Sequence, residues 1–389
     1  MMDYSKILSK RASAIKPSGI RKFFDILDEM EGVISLTVGQ PDFLTPWHIR
    51  EAAIDSLEKG KSFYTSNSGL LKFREAISEY LQRRFEVKYN PKDEMIITVG
   101  GSEAIDLAIR AVVEPGDEVL IVEPSYVCYA PITQLTGGIA VPIPTRAEDK
   151  FKLTPELLKK YITPKTKMLI LPYPNNPTGA IMTKEDLEKI ADVLRDTNIV
   201  VLSDEIYGEL TYGRKHCSFA SLPGMWERTI YVGGFSKSYA MTGWRLGYVC
   251  APSELLKTML KIHQYAIMCA PTASQYAGIK AATDGDADIA YMRDCYDGRR
   301  KLLLKGLKDI GIDCFEPEGA FYVFPNIGKF GMKSEDFCEK LLYSEKCAIV
   351  PGTAFGDSGE GFARISYAYS VEHITEALER LETFIKKIK

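Results

Sequence analysis

From about residue 50 to 285, windows of helical periodicity alternate with short apolar runs bounded by Gly, Pro and polar clusters. Such alternation predicts helices and strands in turn, the pattern of a layered α/β structure. Six runs carry the strand signal, at 95–99, 119–122, 168–171, 199–202, 229–232 and 246–250. Their apolar residues are nearly continuous rather than alternating, which predicts strands covered on both faces and a mostly parallel sheet. Between them, 102–113 and 184–195 repeat apolar residues at the helical period, with Ser102 and Thr183 as the expected N-caps.

Beyond residue 285 the pattern changes. A long charged helical window covers 289–310, short strands are expected near 320–325, 348–351 and 362–368, and a terminal helix over 371–387. These features predict a second, smaller α+β unit. Residues 1–47 hold too little apolar material for a core of their own and are expected to pack against the rest. The expected division is a large α/β domain over 48–285 and a small α+β domain formed by 1–47 and 286–389. A chain of 389 residues exceeds one ordinary core, and no repeat or low-complexity linker separates the two parts.

Composition narrows the function classes. With 46% hydrophobic and 26% charged residues the chain is globular, and a net charge of −3 offers no global field for nucleic acid or membrane. The eight cysteines are scattered without CxxC pairs or zinc-like Cys/His spacing, which implies reduced thiols, a cytoplasmic protein and no metal. No apolar run approaches the roughly 20 residues of a membrane helix, and residues 1–11 lack a signal peptide's apolar stretch.

The chemistry concentrates just after the strand-like runs, where ligands bind in open α/β sheets. The first run leads into Gly100-Gly101-Ser102-Glu103 at a helix start, which either cradles an anion or simply caps the helix. The run at 168–171 leads into Pro172-Tyr173-Pro174-Asn175-Asn176-Pro177-Thr178-Gly179, a proline-stiffened turn presenting two amides. After 199–202 comes Ser203-Asp204-Glu205-Ile206-Tyr207, where Asp204 is either a helix N-cap or the partner of a buried cation. After 229–232 comes Gly233-Gly234-Phe235-Ser236-Lys237, a lysine behind a buried strand, where its charged form is penalised. Arg245 follows eight residues later. Each residue alone has a structural reading; their joint order is what points to a site.

That order includes SLTVGQPDF at 35–43, PNNPTG at 174–179, SDEIY at 203–207, GFSKSYAMTGWRLGY at 234–248 and ARISYA at 363–368. Together these strings resemble the class I/II aminotransferases, pyridoxal-phosphate enzymes of fold type I, over about residues 34–370. The nearest branch contains aromatic and N-acetyl-diaminopimelate aminotransferases. The resemblance implies the α/β fold of those enzymes and pyridoxal 5'-phosphate as cofactor. By it, Lys237 is the Schiff-base lysine and general base, and Asp204 faces the pyridine nitrogen and keeps it protonated. Tyr207 and Asn176 donate to the ring's 3-oxygen, and Tyr126 stacks on the ring. Arg245, Gly101, Ser102 and Glu103 match the phosphate site, and Ser236 joins the cofactor-binding set.

On the substrate side, Arg364 matches the residue that takes the α-carboxylate by a two-pronged hydrogen bond, with Gly39 and Asn176 beside it. Tyr64 matches a residue reaching the neighbouring subunit's phosphate, which implies a homodimer with composite sites. Gly234 stands where the family often has a hydroxyl residue. The implied reaction is ping-pong transamination between an L-amino acid and a 2-oxo acid, by default 2-oxoglutarate, with aromatic amino acids, aspartate or N-acetyl-diaminopimelate as donors. Lys16, Ile20 and residues 263–269 are either side-chain pocket or plain core. A carbon–sulfur β-lyase, or a cyclase acting on S-adenosylmethionine, would use the same residues. The effector domain of a transcription regulator is disfavoured, because residues 1–35 carry no basic helix-turn-helix pattern.

Overall fold

The computed structural model describes residues 2–17 and 30–388. After a short strand β1 (Ile34–Ser35), seven strands build the main sheet: β2 (Met95–Thr98), β3 (Glu118–Glu123), β4 (Ile139–Pro144), β5 (Thr166–Leu171), β6 (Val200–Asp204), β7 (Thr229–Gly234) and β8 (Gly247–Cys250). Their order is β2-β8-β7-β6-β5-β3-β4. Only β8 runs antiparallel to its neighbours, β2 and β7; the other pairings are parallel. The central strands are buried except at their end residues, and separate apolar clusters cover both faces, as continuous apolar runs require. All six expected strands form. β4 escapes a reading by apolar runs because Pro142 and Pro144 interrupt it, and it lies at the sheet edge, where missing N–H donors are tolerated.

The helix ends decide what faces the site. Helix Lys184–Leu194 opens as expected on Thr183: the Thr183 hydroxyl accepts the Asp186 N–H, and the Asp186 carboxylate accepts the Thr183 N–H at 2.9 Å. Helix Gly101–Val112 starts one residue earlier than expected. Its N-cap is Gly100, at φ +78°, so Ser102 is not the cap but lies in the first turn, and its hydroxyl is left for other partners.

The C-terminal part packs helices Asp286–Asp309, Ser334–Glu345 and Val371–Ile388 around β9 (Tyr322–Val323), β10 (Cys347–Ala348), β11 (Val350–Pro351) and β12 (Ala363–Ser366). β12 lies between β11 and β9, antiparallel to both. The single strand expected at 348–351 is two strands in different sheets, since β10 pairs in parallel with β1. That pairing carries the segment after β1 into this core, where Leu36 packs with Tyr322 and Ile365. Tyr207 belongs to the same cluster, so the loop leaving β6 meets β9 and β12 directly. Among the described residues no helix is long and apolar enough to cross a membrane, and the eight cysteines are free thiols.

Candidate active site

The loops leaving β2, β5, β6 and β7 converge with residue 39, β9 and β12 on a cavity of about 270 Å³. Asp204, the last residue of β6, is buried at its wall. Its Oδ2 accepts from the Tyr129 hydroxyl at 2.7 Å and its Oδ1 from the Ile206 N–H at 3.2 Å. Burial pushes its carboxyl up to about 6. No helix begins after it, so the N-cap reading of Asp204 fails.

Lys237 faces this carboxylate from the loop after β7. Its Nζ donates to the Gly39 carbonyl at 2.6 Å and lies 5.9 Å from the centres of the Tyr207 and Phe321 rings. Burial, then the charges of Arg364 and Arg245, lower the amine to about 8. A lysine in that state holds a substantial neutral fraction near neutrality, as nucleophilic attack on an aldehyde requires.

Two guanidinium groups bracket the amine. Arg364, on β12, is buried, donates to Asn176 Oδ1 at 2.9 Å and to the Thr37 carbonyl, and leaves its Nε without a partner. The Tyr322 and Phe355 rings lie 4.5 and 4.7 Å from it. No carboxylate among the described residues neutralises it, a costly state that an anionic ligand would relieve. Arg245 sits at the mouth at φ +52°, donating to the carbonyls of Thr242 at 3.1 Å and Val99 at 3.4 Å. It presses on Gly100, where a Cβ would come within 2.6 Å of its Nη2. Arg245, the helix start at Gly101, Ser102 and Ser236 thus gather a guanidinium, backbone N–H groups and hydroxyls at one corner of the cavity, donors of the kind an anion needs.

The model of the family "Aminotransferase class I and II" matches residues 31–381. The chain is a class I/II aminotransferase. It is 52% identical over 98% of both chains to the putative aminotransferase YugH of Bacillus subtilis. It is 46% identical to an aspartate aminotransferase of Pyrococcus abyssi, over 98% of this chain and 99% of that one. A probable N-acetyl-LL-diaminopimelate aminotransferase of Bacillus subtilis is 44% identical, with 98% and 96% covered. Among solved structures, an aromatic aminotransferase from Pyrococcus horikoshii superposes with a TM-score of 0.90 at 46% identity, covering 94% of this chain and 99% of that one.

The family depends on pyridoxal phosphate, and the cavity of this aminotransferase fits that group on its own terms. It offers a buried carboxylate that makes no ion pair among the described residues for a ring nitrogen, an amine of lowered pKa for an aldehyde, and a cluster of cationic and N–H donor groups for a phosphate. Tyr126 and Asn176 are on the wall, and Tyr207 shares a 2.8 Å hydroxyl contact with Tyr322; burial raises both phenols, which keeps them neutral donors.

Two sequence-predicted residues stand elsewhere. The Glu103 side chain is not on the cavity wall; it accepts the Val99 N–H and faces His263. Tyr64 is 81% exposed and outside the cavity of its own chain. Of the substrate-pocket candidates, Lys16 is exposed, His263 is fully buried away from the wall, and Ile20 lies outside the described residues. At Gly234 a Cβ would come within 2.6 Å of Ile206 Cδ1, so Ile206 occupies the space a hydroxyl residue would use. Sequence reasoning missed Tyr129, Tyr322, Ile105 and Ile206, all of which line the cavity.

Proposed function

We propose that this aminotransferase transfers the amino group of an L-amino acid to a 2-oxo acid, 2-oxoglutarate as acceptor, in a ping-pong cycle centred on Lys237. The observation that carries the reading is Arg364: a buried guanidinium whose Nε has no partner and which has no counter-ion among the described residues, placed by β12 beside the Lys237 and Gly39 pair. An α-carboxylate completes it with two parallel hydrogen bonds and fixes the Cα–H bond relative to the amine. Pyridoxal phosphate, when bound, supplies an electrophilic carbon and a ring that takes up the electron pair left at Cα. Lys237 would carry the Cα proton to that electrophilic carbon, and back to Cα of the acceptor in the second half of the cycle. Asp204 would hold a proton on the ring nitrogen, Tyr207 and Asn176 would serve as donors to the ring oxygen, and Tyr126 would supply an aromatic wall for the ring. Arg245, Gly101, Ser102 and Ser236 hold the phosphate.

The reading includes a large domain over 48–285, a small one from 1–47 and 286–389, and a cytoplasmic homodimer in which exposed Tyr64 enters the partner's site. Aspartate, aromatic amino acids and N-acetyl-diaminopimelate are the donors named by its relatives. A donor panel against 2-oxoglutarate, read as kcat/KM ratios, ranks them. Borohydride reduction and peptide mass spectrometry locate the cofactor, expected on Lys237. Arg364→Lys, which keeps the charge but not the fork, lowers kcat/KM for every donor by about 10- to 100-fold. Pyruvate released from cystathionine faster than any donor is transaminated would place the chain among β-lyases instead.

A further inference from the structure

Behind the anion corner lies a pair that the reaction does not use, a buried histidine and a partly buried glutamate. Glu103 stands in the first turn of helix Gly101–Val112. Its Oε2 accepts the Val99 N–H, and its Oε1 lies 2.6 Å from Nδ1 of His263, on helix Ser253–Ala266. An ionised carboxylate only accepts, so Nδ1 carries the hydrogen. His263 is wholly buried, and its Nε2 has no partner among the described residues.

The bonds run onward to the phosphate corner. Val99, pinned through its N–H by Glu103, gives its carbonyl to Arg245 Nη2 and leads into Gly100, whose carbonyl accepts from the Thr98 hydroxyl at 2.9 Å. Four residues from three separated segments thus fix one turn. The pair also bears on charge. A carboxylate in a first turn competes with a bound anion for the same helix end, and a donor to that carboxylate reduces the competition.

The geometry points to His263 as a positioning residue for the cofactor phosphate: it holds Glu103 against the turn at 99–101 and offsets the negative charge that Glu103 places beside the anion. The inference rests on the reading that the phosphate occupies this corner. The backbone of His263 extends the same role outward, since its carbonyl accepts from the N–H groups of Ile267 and Met268, and the Met268 carbonyl anchors Asn67, three residues after Tyr64.

Pyridoxal phosphate and pyridoxal, which lacks the phosphate, distinguish the placement of the phosphate from the role of His263. The holoenzyme is resolved and rebinding of each compound is followed by the absorbance of the bound chromophore. Wild type is expected to bind the phosphate ester much more tightly; equal affinities would overturn the placement of the phosphate itself. In His263→Leu the ratio of the two dissociation constants falls about tenfold. His263→Phe, which fills the ring's volume, serves if the leucine variant does not fold. A ratio unchanged while both affinities drop together means a merely structural histidine and sinks the inference. Adding Glu103→Gln to His263→Leu keeps an acceptor for Val99 but removes the charge, and brings the ratio back to within about threefold of wild type. A double variant as impaired as the single one overturns the electrostatic part.

Discussion

At the scale of single residues, the cavity is defined by groups whose ordinary protonation is unsettled. Lys237 at about 8 leaves about one amine in ten neutral at pH 7, against about one in three thousand for an unperturbed lysine. Labelling of the cofactor-free chain with an amine-reactive acylating reagent, read at the Lys237 peptide, should therefore rise about tenfold per pH unit and level off near pH 8. A midpoint above 10 would show that burial and the two arginines do not set its reactivity. Asp204 is displaced the other way. With its folded pKa raised to about 6 from an ordinary 3.8, the cofactor-free fold holds a proton that the unfolded chain has lost, so this carboxyl's contribution is full below 3.8 and is lost as pH rises through 6. Asp204→Asn can still meet Tyr129 and Ile206. It should raise the Tm of the cofactor-free chain at pH 7.5 and not at pH 4, while removing transaminase activity. Residues of this kind were legible in the sequence because each follows an apolar run within a recognisable string. Tyr129 and Tyr322 were not, because their meaning lies in contacts with partners 75 and 115 positions away. No local period marks such a pair.

At the scale of elements, the site depends on places where backbones touch. β8 crosses the turn after β2 so closely that a Cβ on Gly247 would lie 2.6 Å from the Gly100 carbonyl carbon. Backbone cannot give as a side-chain tip can, so Gly247→Ala should cost about 2 kcal/mol or more in urea unfolding and weaken cofactor binding as well. Gly234 is the opposite case, since its obstacle is the mobile end of Ile206. Gly234→Ser alone should leave affinity for pyridoxal phosphate unchanged or weaker. Combined with Ile206→Val, which removes Cδ1, the new hydroxyl gains room and affinity should rise severalfold above the single variant. Equal affinity in the two would show that the position lies out of reach of the phosphate. The strands themselves were readable to within a residue or two. Their prolines, caps and glycine crossings were harder to read, because those depend on which neighbour the fold brings alongside.

At the scale of the molecule, the seam between the main sheet and the C-terminal part contains a titrating contact of its own. Glu123 ends β3, and its carboxyl group fills the space where a side chain on Gly356, at φ +118°, would project. Ser358 donates to it at 3.4 Å, Asp357 repels it, and no cation among the described residues pairs with it. One bond nearby ties the same two parts: the Ser125 N–H donates to the carbonyl of Phe355, whose ring covers Arg364. Burial first, and Asp357 second, push Glu123 up to about 7. A folded pKa raised from 4.5 means that its contribution is complete below 4.5 and lost as pH rises through 7, because the fold then holds a charge that the unfolded chain carries more easily. Glu123→Gln keeps the shape and removes the titration. Relative to that variant, the wild-type chain should lose about 2 °C of Tm between pH 5 and pH 8, a shift kept small because the group is partly exposed. Parallel Tm profiles for the two proteins would show that the seam is insensitive to this proton.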